Sequence, residues 1–369
     1  MIMQEFRISR SSAGWLASIT PLTIAAMSLP VAIIGTRYST KKMFAVGACL
    51  QAGGILTLFA NNYIFLLFTR VCFAVGTAII VPASVAIAAQ WFTSHRLPLI
   101  NSIIMVSINL GSAVAFIATV PIATAFSWKA PLIIYGAIAL TFAITWIILG
   151  RDRKEALSKT ETTKAPVYDE RQELTLKQIL TNKTTILLTL AMMGASTLGN
   201  SVSSWLPSYY HEVFKMPLEK ASSILVVITV GGTLACIAGG ILATRLRRHK
   251  PLLIASGIFM GITALTSILF NNLAVIYVGV ALYGIFANLA SPSMLTIPME
   301  LPNISIRSGA IMISIMIVGG NIGNFTGPLI VGFLTDITGS YLPGFIVSAV
   351  FSLSILAAGL LLNETKLKT

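Results

Sequence analysis

The chain has 369 residues, 56% hydrophobic and only 10% charged, with a mean hydropathy of +0.86. A soluble domain carries about 25% charged residues, so the implied solvent is lipid rather than water. The net charge of +13 does not indicate nucleic acid. The Lys and Arg residues sit in short breaks between apolar runs, not over a polar face. Cys49, Cys72 and Cys236 fall inside apolar runs without metal-like spacing and read as packing residues. His95, His211 and His249 lie in separate loops, so neither a metal site nor a cofactor is expected.

The polar start, MIMQEFRISRSSAG, has no apolar core of its own and is not a cleavable signal. A spanning helix needs about 20 apolar residues. Eleven runs qualify: 13–34, 43–60, 64–90, 98–122, 130–149, 184–208, 221–243, 251–270, 273–299, 306–332 and 342–362. The fold class is therefore all-α integral membrane. The one long hydrophilic break, residues 151–183, has mixed charge and reads as a cytoplasmic linker, with a short helix near Leu174–Leu180. It divides the chain into an N-terminal bundle (1–150) and a C-terminal bundle (184–369). Nineteen Lys and Arg lie on the side of the loops after odd-numbered spans and the C-terminus, against five on the other side. That places the C-terminus in the cytoplasm and the N-terminus outside, in a multi-pass protein of the cell membrane.

The two bundles share motifs. Ala32–Lys42 (AIIGTRYSTKK) and Gly240–Lys250 (GILATRLRRHK) are 208 residues apart. Gly76 and Gly284 keep that offset, and Asn109-Leu110-Gly111 and Asn321-Ile322-Gly323 match at 212. Four matches in one order indicate a duplication. Six spans would then be expected in the first half, where five are found.

These residues resemble the major facilitator superfamily of transporters over nearly the whole chain. That family has two six-helix halves, a cytoplasmic linker and a signature G-x-L-A-D-R-x-G-R-K after the second helix of each half. Here both copies carry Thr (Thr36, Thr244) where the family has Asp, each followed by Arg (Arg37, Arg245). Arg70 with Gly76 is similar to the R-x-x-x-G pattern of the fourth helix, with one extra residue. Trp205-Leu206-Pro207, Pro298-Met299-Glu300 and Thr335-Asp336…Gly339-Ser340 resemble branches that carry small organic anions, or cyanate-like and nitroimidazole-like solutes. The resemblance implies a two-bundle fold here with 11 transmembrane helices (5 + 6) instead of 12, the first helix missing. It also implies alternating access by a monomer, with a small-molecule substrate and H+ as coupling ion.

Arg70 is the one charged residue well inside a span. An intramembrane cation needs a cavity or a partner, and no Asp or Glu lies deep in any predicted span. Arg70 therefore favours an anionic substrate held bidentately, against snorkelling or bonding to backbone carbonyls. The expected substrate cavity combines Arg70 with Asn109, Asn200, Ser204, Tyr283, Asn288 and Asn321; for each of the others, interhelical hydrogen bonding is the competing role. The expected cytoplasmic gate comprises Thr36, Arg37, Thr244, Arg245 and Glu300, with a Glu300–Arg245 ion pair. No intramembrane Asp pair, H-E-x-x-H or Ser/His set is present, so the expectation is a secondary transporter of a small, anionic organic solute and not an enzyme. The alternatives are an N-terminally truncated, non-transporting membrane protein and a drug/proton antiporter.

Overall fold

The computed structural model describes residues 2–35, 38–92, 97–151, 174–246, 248–301, 304 and 306–362. Every regular element among them is helical. In order these are α1 (Ile2–Phe6), α2 (Arg10–Gly35), α3 (Thr40–Gln51) running on into a 3-10 segment (Ala52–Phe59), α4 (Tyr63–Trp91), α5 (Leu97–Ala125) and α6 (Ala130–Leu149). Then come α7 (Leu176–Thr181), α8 (Lys183–Val213), α9 (Leu218–Leu246), α10 (Lys250–Leu269), α11 (Leu273–Leu289), α12 (Ser291–Glu300), α13 (Ile306–Thr338) and α14 (Leu342–Leu361). Ten spans among the described residues are long and apolar enough to cross a membrane, counting α3 with its 3-10 segment and α11 with α12 as single spans. The eleventh predicted run is α2. It has 26 residues, about 39 Å at the α-helical rise, which is long enough. The ten are drawn from the described residues alone, and several late α2 side chains are not among these.

Helix starts are set by local chemistry. Asn62 accepts from the Phe65 amide at 2.7 Å and opens α4, and Asn272 accepts from the Ala274 amide at 2.9 Å and opens α11. Thr175 and Gln178 cap each other reciprocally at α7, inside the predicted linker. Within the spans, many Ser and Thr hydroxyls return to carbonyls one turn back, as Thr263 does to Phe259 at 2.6 Å and Thr335 to Val331 at 2.6 Å, which pairs these donors inside their own helix.

The chain forms two compact units: Met1–Ile8 with Trp15–Val167, and Ser9–Gly14 with Tyr168–Thr369. The chain thus changes units within α2, between Gly14 and Trp15. In the first unit, Ile24, Met27 and Val31 of α2 pack on Val75, Ala78 and Ile79 of α4. Helices α3 and α4 meet at glycines: a Cβ on Gly76 would lie 2.6 Å from the Gly47 carbonyl oxygen. Gly54 and Gly136 do the same for the 3-10 segment and α6, where a Cβ on Gly136 would sit 2.6 Å from the Ile55 nitrogen. In the second unit α8 is central, packed on α13 and α14. Any Cβ on Gly194 would collide with the Phe351 carbonyl, and any on Gly323 with that of Met193. Small residues at crossings supply the close packing that lipid-soluble helices need.

Candidate functional site

In the first unit, Arg70 sits in α4, about 12 Å along the helix from the Asn62 cap. It is half-buried and has no hydrogen-bond or ion-pair partner among the described residues. A guanidinium removed from water without a counter-charge is costly. Asn109 lies exposed on α5, likewise without a hydrogen bond to any described residue.

In the second unit the polar groups gather on α8, α11 and α13. Proline at position 328 of α13 has no N–H, so the carbonyl of Asn324, four residues earlier, loses its helical donor. Asn200 of α8 supplies one, donating Nδ2 to the Asn324 carbonyl. Ser204, one turn on, donates to Asn200 Oδ1 at 3.5 Å. Trp205 Nε1 donates to the Pro328 carbonyl at 2.9 Å. Asn200 therefore completes the backbone of a neighbouring helix, with Ser204 bonded to its side chain. Asn288 is turned inward on α11: its Nδ2 donates to the Gly284 carbonyl at 3.1 Å and rests against Gly232 of α9. Tyr283 is 2% exposed, yet its hydroxyl has no partner among the described residues. It points toward Gly199 of α8, where a Cβ would lie 3.9 Å from that oxygen. Asn321 is half-buried on α13, also without a hydrogen bond to a described residue. The structure thus brings Asn200 and Ser204 together, and Tyr283 close to the residue before Asn200.

At the other end of the second unit, Glu300 does not pair with Arg245 as expected. It accepts from His249 Nε2 at 2.9 Å. The reason is placement. His249 is 3% exposed, in the α9–α10 connection, whereas Arg245 is exposed on the last turn of α9. The His249 Nδ1 is buried without a partner among the described residues. Thr36 and Arg37 lie outside the described residues, as does the side chain of Thr244, which falls in the last turn of α9.

A second cluster went unforeseen. Asp336, near the end of α13, accepts from the amides of Arg10 and Ser11 at 3.0 and 2.8 Å and from the Ser11 hydroxyl at 2.6 Å. Arg10 pairs with Glu212 at 2.8 Å and donates Nε to the Tyr341 hydroxyl at 3.1 Å. Burial pushes the Tyr341 hydroxyl above the usual phenol range, with the Arg10 hydrogen bond pulling the other way. In the sequence, Thr335-Asp336…Gly339-Ser340 carries only a family likeness. Nothing in its local sequence pointed to residues 325 positions earlier.

Long apolar helices, ten of them able to cross a membrane among the described residues, define a polytopic membrane protein. The chain belongs to the Major Facilitator Superfamily, whose family profile matches residues 1–311. It is 25% identical to the uncharacterized transporter YybO of Bacillus subtilis, over 94% of this chain and 84% of that one. It is 22% identical to the hexuronate transporter of Escherichia coli K12, over 95% and 85%. Its fold is similar to that of a bacterial homolog to the human lysosomal transporter Spinster, solved inward-facing and occupied. The TM-score is 0.80 and the identity 15%, covering 98% of this chain and 90% of that one. The protein is a multi-pass solute transporter.

Proposed function

We propose that the protein moves a small organic anion across the cytoplasmic membrane by alternating access, with Arg70 as the anion ligand. The observation that carries this reading is the unpartnered guanidinium of Arg70 within a span, which a carboxylate would satisfy with two parallel hydrogen bonds. A relative named for hexuronate, a sugar acid, supports the same cargo class. Tyr283 supports a polar substrate, because a phenol left without a partner in a buried setting is destabilising unless something else meets it. The reading further takes residues 1–150 and 184–369 as the two bundles, the C-terminus as cytoplasmic, and the transporter as a monomer.

Thermal shift in detergent with a panel of small carboxylates, glucuronate among them, tests it. At least one should raise the Tm of the native chain, not that of Arg70→Gln, and Arg70→Lys should keep a weaker response. Equal shifts in the native chain and Arg70→Gln would remove Arg70 from the site. H+ coupling is the expectation of the proposal, although no Asp or Glu lies deep in a predicted span. Uptake of the stabilising carboxylate should fall when an uncoupler is added. Unchanged initial rates would make transport facilitated diffusion.

A further inference from the structure

Within the second unit, the connection from α9 to α10 holds the densest run of positive charge in the chain. Residues 245–250 include Arg245, Arg247, Arg248 and Lys250 with no acid, and no Asp or Glu lies between Glu219 and Glu300. Glu300, the acid expected for Arg245, is held by His249 instead. Arg245 is exposed and has no hydrogen-bond or ion-pair partner among the described residues. Arg248 is exposed as well. Lys250 donates Nζ to the Leu360 carbonyl at 3.4 Å, which places its ammonium at the C-terminal turn of α14, where Leu360 and Leu361 are exposed. Below the cations lies an apolar stripe. Val230, Leu234, Ile237 and Ile241 of α9 are exposed and recur every three or four residues, so they line one face of the helix. Arg245 is the next position on that face. From Val230 to Arg245 the stripe runs about 22 Å at the α-helical rise, more than the roughly 15 Å of hydrocarbon in one leaflet. Any lipid-facing helix presents an apolar stripe; this one ends in an uncompensated guanidinium.

We propose that this face of α9 is a docking site for one anionic phospholipid. The Arg245 guanidinium takes the phosphodiester through two parallel hydrogen bonds. Lys250, whose ammonium has three donors, adds to the local positive field, and an acyl chain lies along Ile241, Ile237 and Leu234. The charge balance selects the headgroup. A zwitterionic lipid brings an ammonium of its own, which these cations repel at close range, whereas a phosphatidylglycerol headgroup has none. Free phosphate would meet the cations but leave the stripe unused. The site is built from the second unit alone, and it stands whether or not Arg70 binds an anion.

Acyl-chain quenching on the full chain tests it. Cys49, Cys72 and Cys236 are replaced by Ala, and a bimane fluorophore is attached at Ile237→Cys. The protein is reconstituted in vesicles of mixed phosphatidylcholine and phosphatidylglycerol, with the acyl chains of one or the other brominated, so that quenching reports which lipid lies on the stripe. Phosphatidylglycerol should be preferred at Ile237 by about fivefold or more. Arg245→Gln should lower that preference about fivefold, the weight of one basic side chain at an anionic surface. Because Arg245 is exposed, its replacement leaves the packing of α9 intact. A bimane at Val278→Cys, exposed on α11, a helix without Lys or Arg, should show no such preference. Inorganic phosphate, compared with chloride at equal ionic strength, should not displace the lipid. Equal quenching by the two lipids at Ile237, a preference unchanged in Arg245→Gln, or the same preference at Val278 would overturn the site. Displacement by inorganic phosphate would overturn its assignment to a lipid.

Discussion

Two residues of opposite chemistry end helices in the same left-handed conformation. Gly339 follows α13 with φ +70°, its amide donating to the Thr335 carbonyl at 2.9 Å. Lys215 follows α8 with φ 54°, and the next amide, of Met216, reaches back to the Tyr210 carbonyl at 3.1 Å. Both are helix C-caps that favour glycine. Gly339→Ala should therefore cost about 1 kcal/mol. Lys215→Gly should stabilise by a few tenths of that, net of the greater freedom of glycine in the unfolded chain; denaturant titration in mixed micelles measures both. The His249–Glu300 pair is the second case at this scale. A double-mutant cycle with His249→Ala and Glu300→Ala should give a coupling of about 0.5–1.5 kcal/mol. The same cycle with Arg245→Ala in place of His249→Ala should give a coupling near zero. His249 was legible as a loop histidine and no more, because its partner Glu300 lies 51 residues further on, at the end of α12.

At the scale of elements, the apolar runs marked the helices closely, since a membrane span declares itself by length and composition. What the runs did not show is which carbonyls a proline frees and who meets them. Asn324 and Pro328 stand four apart in the sequence, and that spacing alone announces an unpaired carbonyl. Its partner, Asn200, is 124 residues away and was read instead as part of the cavity. The two roles separate experimentally. Asn200→Leu should destabilise by about 1 kcal/mol in the native background. With Pro328→Ala, which restores a donor within α13, that cost should fall toward zero. If the cost persists beside Pro328→Ala, the backbone role is refuted. Glycine crossings make a sharper contrast. Gly323→Leu should prevent α8 and α13 from closing and abolish a monodisperse fold. Gly111→Ala, where a Cβ meets nothing within 4 Å, should leave thermal stability unchanged or slightly raised. Fluorescence-detected gel filtration compares them directly.

At the scale of the whole molecule, the duplication and the charge asymmetry carried the family and the expected orientation. A C-terminal fluorescent-protein fusion should be bright and a C-terminal alkaline phosphatase fusion inactive, as a cytoplasmic C-terminus requires. The reverse pattern would invert the orientation. The assignment of residues 9–14 to the second unit was not legible. They look like the polar lead of an N-terminal helix, and their affinity for Asp336, Glu212 and Tyr341 arises only once α8 and α13 are assembled. Arg70, by contrast, was legible because a charge inside an apolar run stands out without any fold.

The completion of α13 by side chains of α8 also has a bearing on biosynthesis. Trp205 and the Pro328 carbonyl are 123 residues apart, so at about 5–20 residues per second the ribosome takes roughly 6–25 s to supply the partner. During that interval α8 is in or near the bilayer with Asn200 and Trp205 not yet matched to α13. A nascent chain halted after Glu300 carries α8 with neither α13 nor α14, and pulse–chase labelling should show it cleared by membrane proteases faster than the full-length protein.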